Sequence, residues 1–139
     1  MCKFSVYCDP DGMEELCSYS PYNLKKDLKD TEQDELDTIM ENVANELYHG
    51  PHRPPVSSMM YWGKERKAAY GKIRVVDIKN DSGKSSGYRC VVLVDMKNYR
   101  GFILHIYKHG KKKDDDISSE ERKQLRELVD EYVESLKAE

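Results

Sequence analysis

The segment Tyr88–Met96 constrains the fold more than any other part of this sequence. It reads YRCVVLVDM, with apolar side chains at both alternating sets of positions. A short apolar run with many β-branched residues is typical of a strand that is buried on both of its faces. We therefore predict a β-sheet with Tyr88–Met96 as a central strand.

Three other segments supply strands for this sheet. Lys3–Tyr7 (KFSVY) is a short candidate that ends at the turn signal Asp9-Pro10-Asp11-Gly12. Tyr70–Lys79 alternates polar and apolar residues, and Phe102–His109 follows Tyr88–Met96 after a turn at residues 97–101. Such a short connection predicts an antiparallel hairpin.

Alternation along the last strand separates two sets of side chains. It predicts Phe102, Leu104 and Ile106 on the core side. The other face would then present the following residues: Ile103, His105, Tyr107 and His109.

Helical patterns flank the strands on both sides. Residues 25–48 carry apolar residues at steps of three and four, and Thr31-x-x-Asp34 inside this stretch leaves open one kinked helix or two helices. Ser118-x-x-Glu121 is a capping box that opens a final helix, whose apolar stripe is Leu125, Leu128, Val129, Tyr132 and Leu136. We predict a single α+β domain over residues 1–139, in which a small antiparallel sheet packs against N-terminal helices and a C-terminal helix.

Positive charge is concentrated in the part of the chain that contains most of the strands. Residues 61–113 hold 14 lysines and arginines against four acidic residues, although the whole chain has a net charge of −3. Residues 1–60 and 114–139 are both acidic overall. A cationic sheet with interspersed aromatic residues is the kind of surface that binds polyanions.

Several classes of protein and site are disfavoured. No apolar run approaches the roughly 20 residues of a membrane span, and residues 1–20 do not resemble a signal peptide, so the expected location is cytoplasmic. The four cysteines lack zinc-type spacing, and His105 and His109 would lie about 13 Å apart on a strand. We therefore expect neither a metal nor another cofactor.

The polar face of the sheet is the strongest candidate site. Lys72 and Arg74 share one face of their strand, Arg89 begins the central strand, and Lys108 ends the last one. His105, Tyr107 and His109 add groups that transfer protons or stack on bases. If these side chains converge, they can bind a phosphodiester, whereas the competing interpretation is an ordinary solvated face. Lys111, Lys112 and Lys113 either border this site or belong to a solvated loop.

The order of these motifs resembles the RelE/ParE superfamily of bacterial type II toxin–antitoxin toxins, and within it the HigB-like branch. The resemblance rests on Ile73-Arg74 in a strand, Tyr88–Val92 (YRCVV), Ile103–Lys111 (ILHIYKHGK) and Ser119–Glu121 at the start of a helix. It covers about residues 72–121, and over residues 1–60 only the order of elements agrees. A RelE-like fold is the corresponding expectation.

The resemblance implies an endoribonuclease (mRNA interferase) that cleaves mRNA on the ribosome. A ribose 2′-hydroxyl attacks the adjacent phosphate without a metal and leaves a 2′,3′-cyclic phosphate and a 5′-hydroxyl. Arg74 and Arg89 would stabilise phosphate charge, Lys108 would act as a cation or base, and Tyr107 with His105 would transfer protons or stack. Arg89 and Lys108 match the family pattern best. Lys72, His109, Lys111, Lys112 and Lys113 would contribute to RNA binding.

Two features of the chain leave alternatives open. The isoelectric point is about 5.9, whereas toxins of this kind are usually basic, and the N-terminal half is longer than in minimal members. A ParE-like relative would inhibit DNA gyrase or another protein without cleaving RNA, and a plain RNA-binding protein would use the same face. In the toxin interpretation, a cognate antitoxin with an acidic segment is the natural partner of the basic region.

Overall fold

The computed structural model describes residues 4–8, 22, 24–29, 31–47, 59–75, 88–108 and 117–137, without the side chains of residues 25 and 108. In chain order its elements are β1 (Ser5–Tyr7), α1 (Leu24–Asp27), α2 (Gln33–Leu47), β2 (Met59–Trp62), β3 (Ala68–Val75), β4 (Tyr88–Asp95), β5 (Arg100–Lys108) and α3 (Ser119–Leu136). A 3-10 turn, Lys64–Arg66, joins β2 to β3. The expectations for residues 9–21, 48–58, 76–87 and 109–116 lie outside the described residues.

The five strands form one sheet in the order β1-β5-β4-β3-β2. The α+β class is confirmed, and β4 has a strand on each side, as its apolar sequence predicts. The pairs β2–β3, β3–β4 and β4–β5 are antiparallel, but β1 runs parallel to β5, so the sheet is mixed rather than wholly antiparallel. Parallel neighbours need a long connection, and the chain between β1 and β5 includes two helices and three strands. The edge strand β2 was not predicted from the sequence.

Helices cover both faces of the sheet. A Cβ atom at Gly101 would lie 2.8 Å from Leu47 Cδ1, so the C-terminal end of α2 packs closely on β5. On the other face, the ring of Tyr132 from α3 packs edge-on against Phe102, with 6.0 Å between the ring centroids. This double cover explains why consecutive residues of β4, such as Val92 and Leu93, are both fully buried.

The helix boundaries decide between the one kinked helix and the two helices that the sequence allowed for residues 25–48. The N-terminal helical region contains two helices rather than one kinked helix. The predicted capping box of α3 is present, with Ser118 Oγ accepting a hydrogen bond from the Glu121 backbone N–H at 3.2 Å. All members of the predicted apolar stripe of α3 are buried: Leu125, Leu128, Val129, Tyr132 and Leu136. In the described part of the chain, no helix has the length and apolar character of a membrane span.

The predicted division of β5 into two faces does not continue across Leu104: Phe102 does not share a face with Ile106, and Ile103 does not share one with His105 and Tyr107. Ile103 pairs with Val92, but the next paired residues are His105 and Val91, so Leu104 is an extra residue in β5. Such a bulge shifts the alternation by one position. Phe102, His105 and Tyr107 therefore share one face by register, and Ile106 lies on the other.

A buried carboxylate organises the turn between β4 and β5. Asp95 is fully buried and accepts hydrogen bonds from Tyr132 Oη at 2.7 Å and Arg100 Nη2 at 2.8 Å. The backbone N–H groups of Lys97 and Asn98 also donate to it, at 2.9 and 3.0 Å. Burial alone would raise the pKa of Asp95, but the hydrogen bonds from Tyr132, Asn98 and Arg100 outweigh it, and the pKa is lowered.

We predict that Tyr132→Phe lowers the free energy of unfolding by about 1.5–3 kcal/mol near neutral pH, because it removes a hydrogen bond to a buried charge. The folded-state pKa of Asp95 lies below its ordinary value of 3.8, so its stabilising contribution is complete above that pH and is lost as the pH falls through the folded-state pKa. The effect of Tyr132→Phe should therefore shrink in acid. Urea denaturation at about pH 7 and at about pH 3 measures it.

Tyr61→Phe is the matched control. Tyr61 donates to Asp130 at 2.8 Å in an exposed setting, so removing its hydroxyl should change stability by no more than about 0.5 kcal/mol. A loss for Tyr132→Phe that is as small as this, or independent of pH, would contradict the role given to Asp95.

Candidate nucleic-acid interface

A row of polar residues crosses three adjacent strands on one face of the sheet. Arg74 of β3 pairs with Arg89 of β4, and Arg89 pairs with Tyr107 of β5. Directly paired residues point to the same face and have Cβ atoms about 5 Å apart. The register therefore brings together three residues that are up to 33 positions apart in the sequence.

A second row lies beside the first on the same face. Lys72 pairs with Val91, and Val91 pairs with His105. Rows two residues apart along a strand are separated by about 7 Å. Five of the predicted site residues are thus neighbours: Lys72, Arg74, Arg89, His105 and Tyr107. We call these five residues the cationic sheet face.

The two arginines of this face differ in their exposure. Arg74 is exposed and makes no hydrogen bond or ion pair with the other described residues. Arg89 is only 3% exposed, and its Nη1 lies 3.4 Å from the carbonyl oxygen of Tyr88. Arg74 can therefore reach an external anion, whereas the stem of Arg89 is part of the packed structure.

His105 is held by contacts on several sides. Its Nδ1 lies 2.7 Å from Asp27 Oδ2, and the same oxygen accepts the backbone N–H of Ile106 at 3.1 Å. The ring of Tyr22 stacks on the imidazole with 4.4 Å between centroids and 8° between planes. The centroid of the Tyr107 ring lies 5.2 Å from that of the imidazole, with 30° between the ring planes. These contacts orient His105 precisely.

Tyr22 also connects this site to the C-terminal helix. Its hydroxyl donates to Glu121 Oε2 at 2.7 Å, in the first turn of α3. The start of α3, Tyr22 just ahead of α1 and the middle of β5 therefore meet at His105.

Sequence reasoning missed three residues of this arrangement, namely Asp27, Tyr22 and Glu121. Asp27 is 78 positions from His105, and Tyr22 is 99 positions from Glu121. No motif links them, because each contact arises only when α1 and α3 dock on the sheet. The one available signal was that Asp27 lies within a predicted helix beside Lys25 and Lys26.

The remaining predicted site residues cannot be joined to this face. The Lys108 backbone pairs with Tyr88, which is the opposite alternation from the Arg89–Tyr107 pair, and its side chain is not among the described groups. His109 and Lys111–Lys113 lie outside the described residues. Their roles remain predictions.

Potential metal ligands and the thiol of Cys90 are two further kinds of group to consider in the described residues. Within the described ranges, no three His, Cys, Asp or Glu side chains are grouped as metal ligands would be. Cys90 is fully buried on the far side of β4, and burial raises its thiol pKa strongly, so the thiol stays protonated. Charge stabilisation, base stacking and proton transfer are the chemistry that the cationic sheet face can supply.

Comparison of this chain with protein-family models, with curated proteins and with solved structures finds no match. The resemblance to RelE/ParE toxins therefore rests on the sequence motifs alone, and a function has to be proposed from the geometry of the site.

The difference between the two arginines gives a prediction about stability. Arg89→Ala should lower the free energy of unfolding by about 1–3 kcal/mol, because it removes a buried side-chain stem. Arg74→Ala should change it by no more than about 0.5 kcal/mol, since Arg74 is exposed. Chemical denaturation of both variants measures the difference, and equal losses would show that the burial of Arg89 is not structural.

Proposed function

We propose that this protein is a RelE/ParE-type toxin that cleaves mRNA on the ribosome by metal-independent attack of a ribose 2′-hydroxyl. The observation that carries the proposal is the row Arg74–Arg89–Tyr107, with Lys72 and His105 in the adjacent row. A phosphodiester in this reaction needs cations for the developing negative charge and groups that move protons. Both kinds of group are adjacent on the cationic sheet face.

Each residue has a proposed role. Arg74, the exposed arginine, binds the phosphate directly. Arg89, its buried neighbour on β4, strengthens the positive potential at the phosphate. His105 and Tyr107 transfer protons or stack on an unpaired base, and Lys72 contacts the RNA backbone. Lys108 remains proposed as a further cation or base of this site, and the following residues remain proposed to bind RNA: His109, Lys111, Lys112 and Lys113.

The proposed setting follows from the same chemistry. The substrate would be mRNA in the cytoplasm, and the partner would be an antitoxin whose acidic segment covers the cationic sheet face. An anionic peptide competes with RNA for the same cations, so one surface explains both activity and its neutralisation.

A second candidate is a binding protein that uses this face without cleaving RNA, such as a ParE-like inhibitor of gyrase. The observation that favours it is the low solvent exposure of two proposed catalytic side chains. Arg89 is 3% exposed, and the His105 side chain is 16% exposed. In this case toxicity would persist with intact mRNA and would not depend on Tyr107 or His105.

We predict that Arg74→Ala weakens binding to single-stranded RNA about tenfold or more, because one charge-assisted hydrogen bond to phosphate is worth about 1.5–3 kcal/mol. The slope of log K against log salt should fall by about 0.7 for the lost contact. Arg126→Ala is the matched control, since Arg126 is an exposed arginine of α3, close enough to Tyr61 to affect its pKa, and is not one of the five residues of the cationic sheet face. Equal losses in both variants would indicate nonspecific attraction only.

Cleavage itself is tested by inducing the protein in cells and mapping the ends of mRNA. The proposal predicts growth arrest, 2′,3′-cyclic phosphate ends, and loss of both in Arg74→Ala but not in Arg126→Ala. With purified ribosomes the reaction should persist in a chelator. Arrest with intact mRNA would replace the nuclease proposal by the binding-protein alternative, and unchanged cleavage in Arg74→Ala would exclude the cationic sheet face as its site.

A further inference from the structure

Asp27 and His105 form a partly buried acid–imidazole pair that sequence reasoning did not find. Asp27 Oδ2 lies 2.7 Å from His105 Nδ1, and the two side chains are 14% and 16% exposed. This separation is that of a short, charge-assisted hydrogen bond, and the limited exposure shields it from competing water.

A backbone hydrogen bond fixes the position of the Asp27 carboxylate. Ile106 N–H donates to the same Oδ2 at 3.1 Å, which holds this oxygen beside β5. An ionised carboxylate only accepts hydrogen bonds, so the proton between Asp27 and His105 belongs to Nδ1. In the neutral imidazole the lone pair must then lie on Nε2, which makes no hydrogen bond with the other described residues.

The tyrosine rings restrict the imidazole further. Tyr22 stacks on it almost in parallel, and Tyr107 stacks at 30°. With Nδ1 engaged and the ring plane held, His105 can exchange a proton with another molecule only at Nε2. Tyr107 in turn pairs with Arg89, and Val91 pairs with His105, so His105 lies on the same face of the sheet as the cations.

We propose that Asp27 is a positioning residue, which holds His105 in the Nδ1–H form and so makes Nε2 a general base. This inference rests on the proposed ribonuclease function and deepens it. Nε2 takes the proton of the ribose 2′-hydroxyl, the O2′–P bond forms and the P–O5′ bond breaks. O5′ takes a proton from water, and the hydroxide so formed takes the proton from Nε2, which restores the neutral imidazole. Arg74 and Arg89 stabilise the charge on the phosphorane.

The charged and titratable groups around His105 come from five neighbouring parts of the fold. Those that face it from the neighbouring elements are Asp27 of α1, Tyr22 with Glu121 of α3, Tyr107 of β5, Arg89 of β4 and Lys72 of β3. Asp27 is the one acidic side chain among them for which the structure shows direct contact with the imidazole.

The first test is the tautomer of His105 in the wild-type protein. Long-range proton–nitrogen NMR correlations on ¹⁵N-histidine-labelled protein distinguish Nδ1–H from Nε2–H in the neutral ring. We expect Nδ1–H for His105, and Nε2–H in Asp27→Ala, where the acceptor is gone. An Nε2–H ring in the wild-type protein would overturn the inference, and this measurement does not depend on whether the variant folds.

The second test compares the RNA cleavage rates of the wild-type protein and Asp27→Ala. Asp27→Ala should lower kcat at least about tenfold, as a part of the roughly 10²–10⁴-fold that a positioned base contributes. Its KM for RNA should be nearly unchanged, because Arg74 and Lys72 remain in place. Glu41→Ala is the matched control, since Glu41 is an exposed acid of α2 and its loss changes the net charge equally.

The outcomes separate this inference from the proposed function. If the wild-type protein cleaves RNA and folded Asp27→Ala has an unchanged kcat, Asp27 is only a structural tie between α1 and β5, and the inference fails alone. If the wild-type protein does not cleave RNA at all, the proposed function fails and the base role fails with it. In that case the tautomer measurement still decides whether Asp27 sets the form of His105.

Discussion

One extra residue in the last strand determines which side chains share the candidate site. Leu104 has no partner in the pairing of β4 with β5, so the alternation of β5 shifts by one beyond Ile103. With uninterrupted pairing, Ile106 rather than Tyr107 would stand opposite Arg89, and His105 would face the layer of α2. The bulge interrupts hydrogen bonding between β4 and β5, but Leu104 is fully buried, and its apolar contacts offset this loss of stability.

The two ends of the face so assembled carry different sets of charged groups. At the β4–β5 turn, the charge of Arg100 is compensated by Asp95, and Tyr132 of α3 closes the network. At the other end, Arg74 and Arg89 are directly paired across β3 and β4. Adjacent like charges are unfavourable in a free sheet, and a bound polyanion relieves their repulsion. The same strands therefore carry an internal ion pair at one end and the proposed phosphate-binding arginines at the other.

Sequence reasoning was most successful where local chemistry decides the structure. It predicted β4 as a central strand, the capping box at Ser118 and the shared face of Lys72 and Arg74. It failed where an element depends on distant partners: β2 is a short edge strand that forms by pairing with β3, and β1 takes its parallel direction from β5. The register places His105 and Tyr107 on the same face as the two arginines, although the alternation argued for them ignored the bulge.

The sequence by itself determined the class of the fold, the segregation of positive charge and the kinds of groups available for chemistry. These properties follow from periodicity and composition, which act over a few neighbouring residues. The tertiary structure alone decided that Arg89 is buried while Arg74 is exposed, and that Asp27 meets His105 across 78 positions. Such contacts depend on how helices dock on the sheet, and docking is governed by the summed packing of the whole core, which no local pattern encodes.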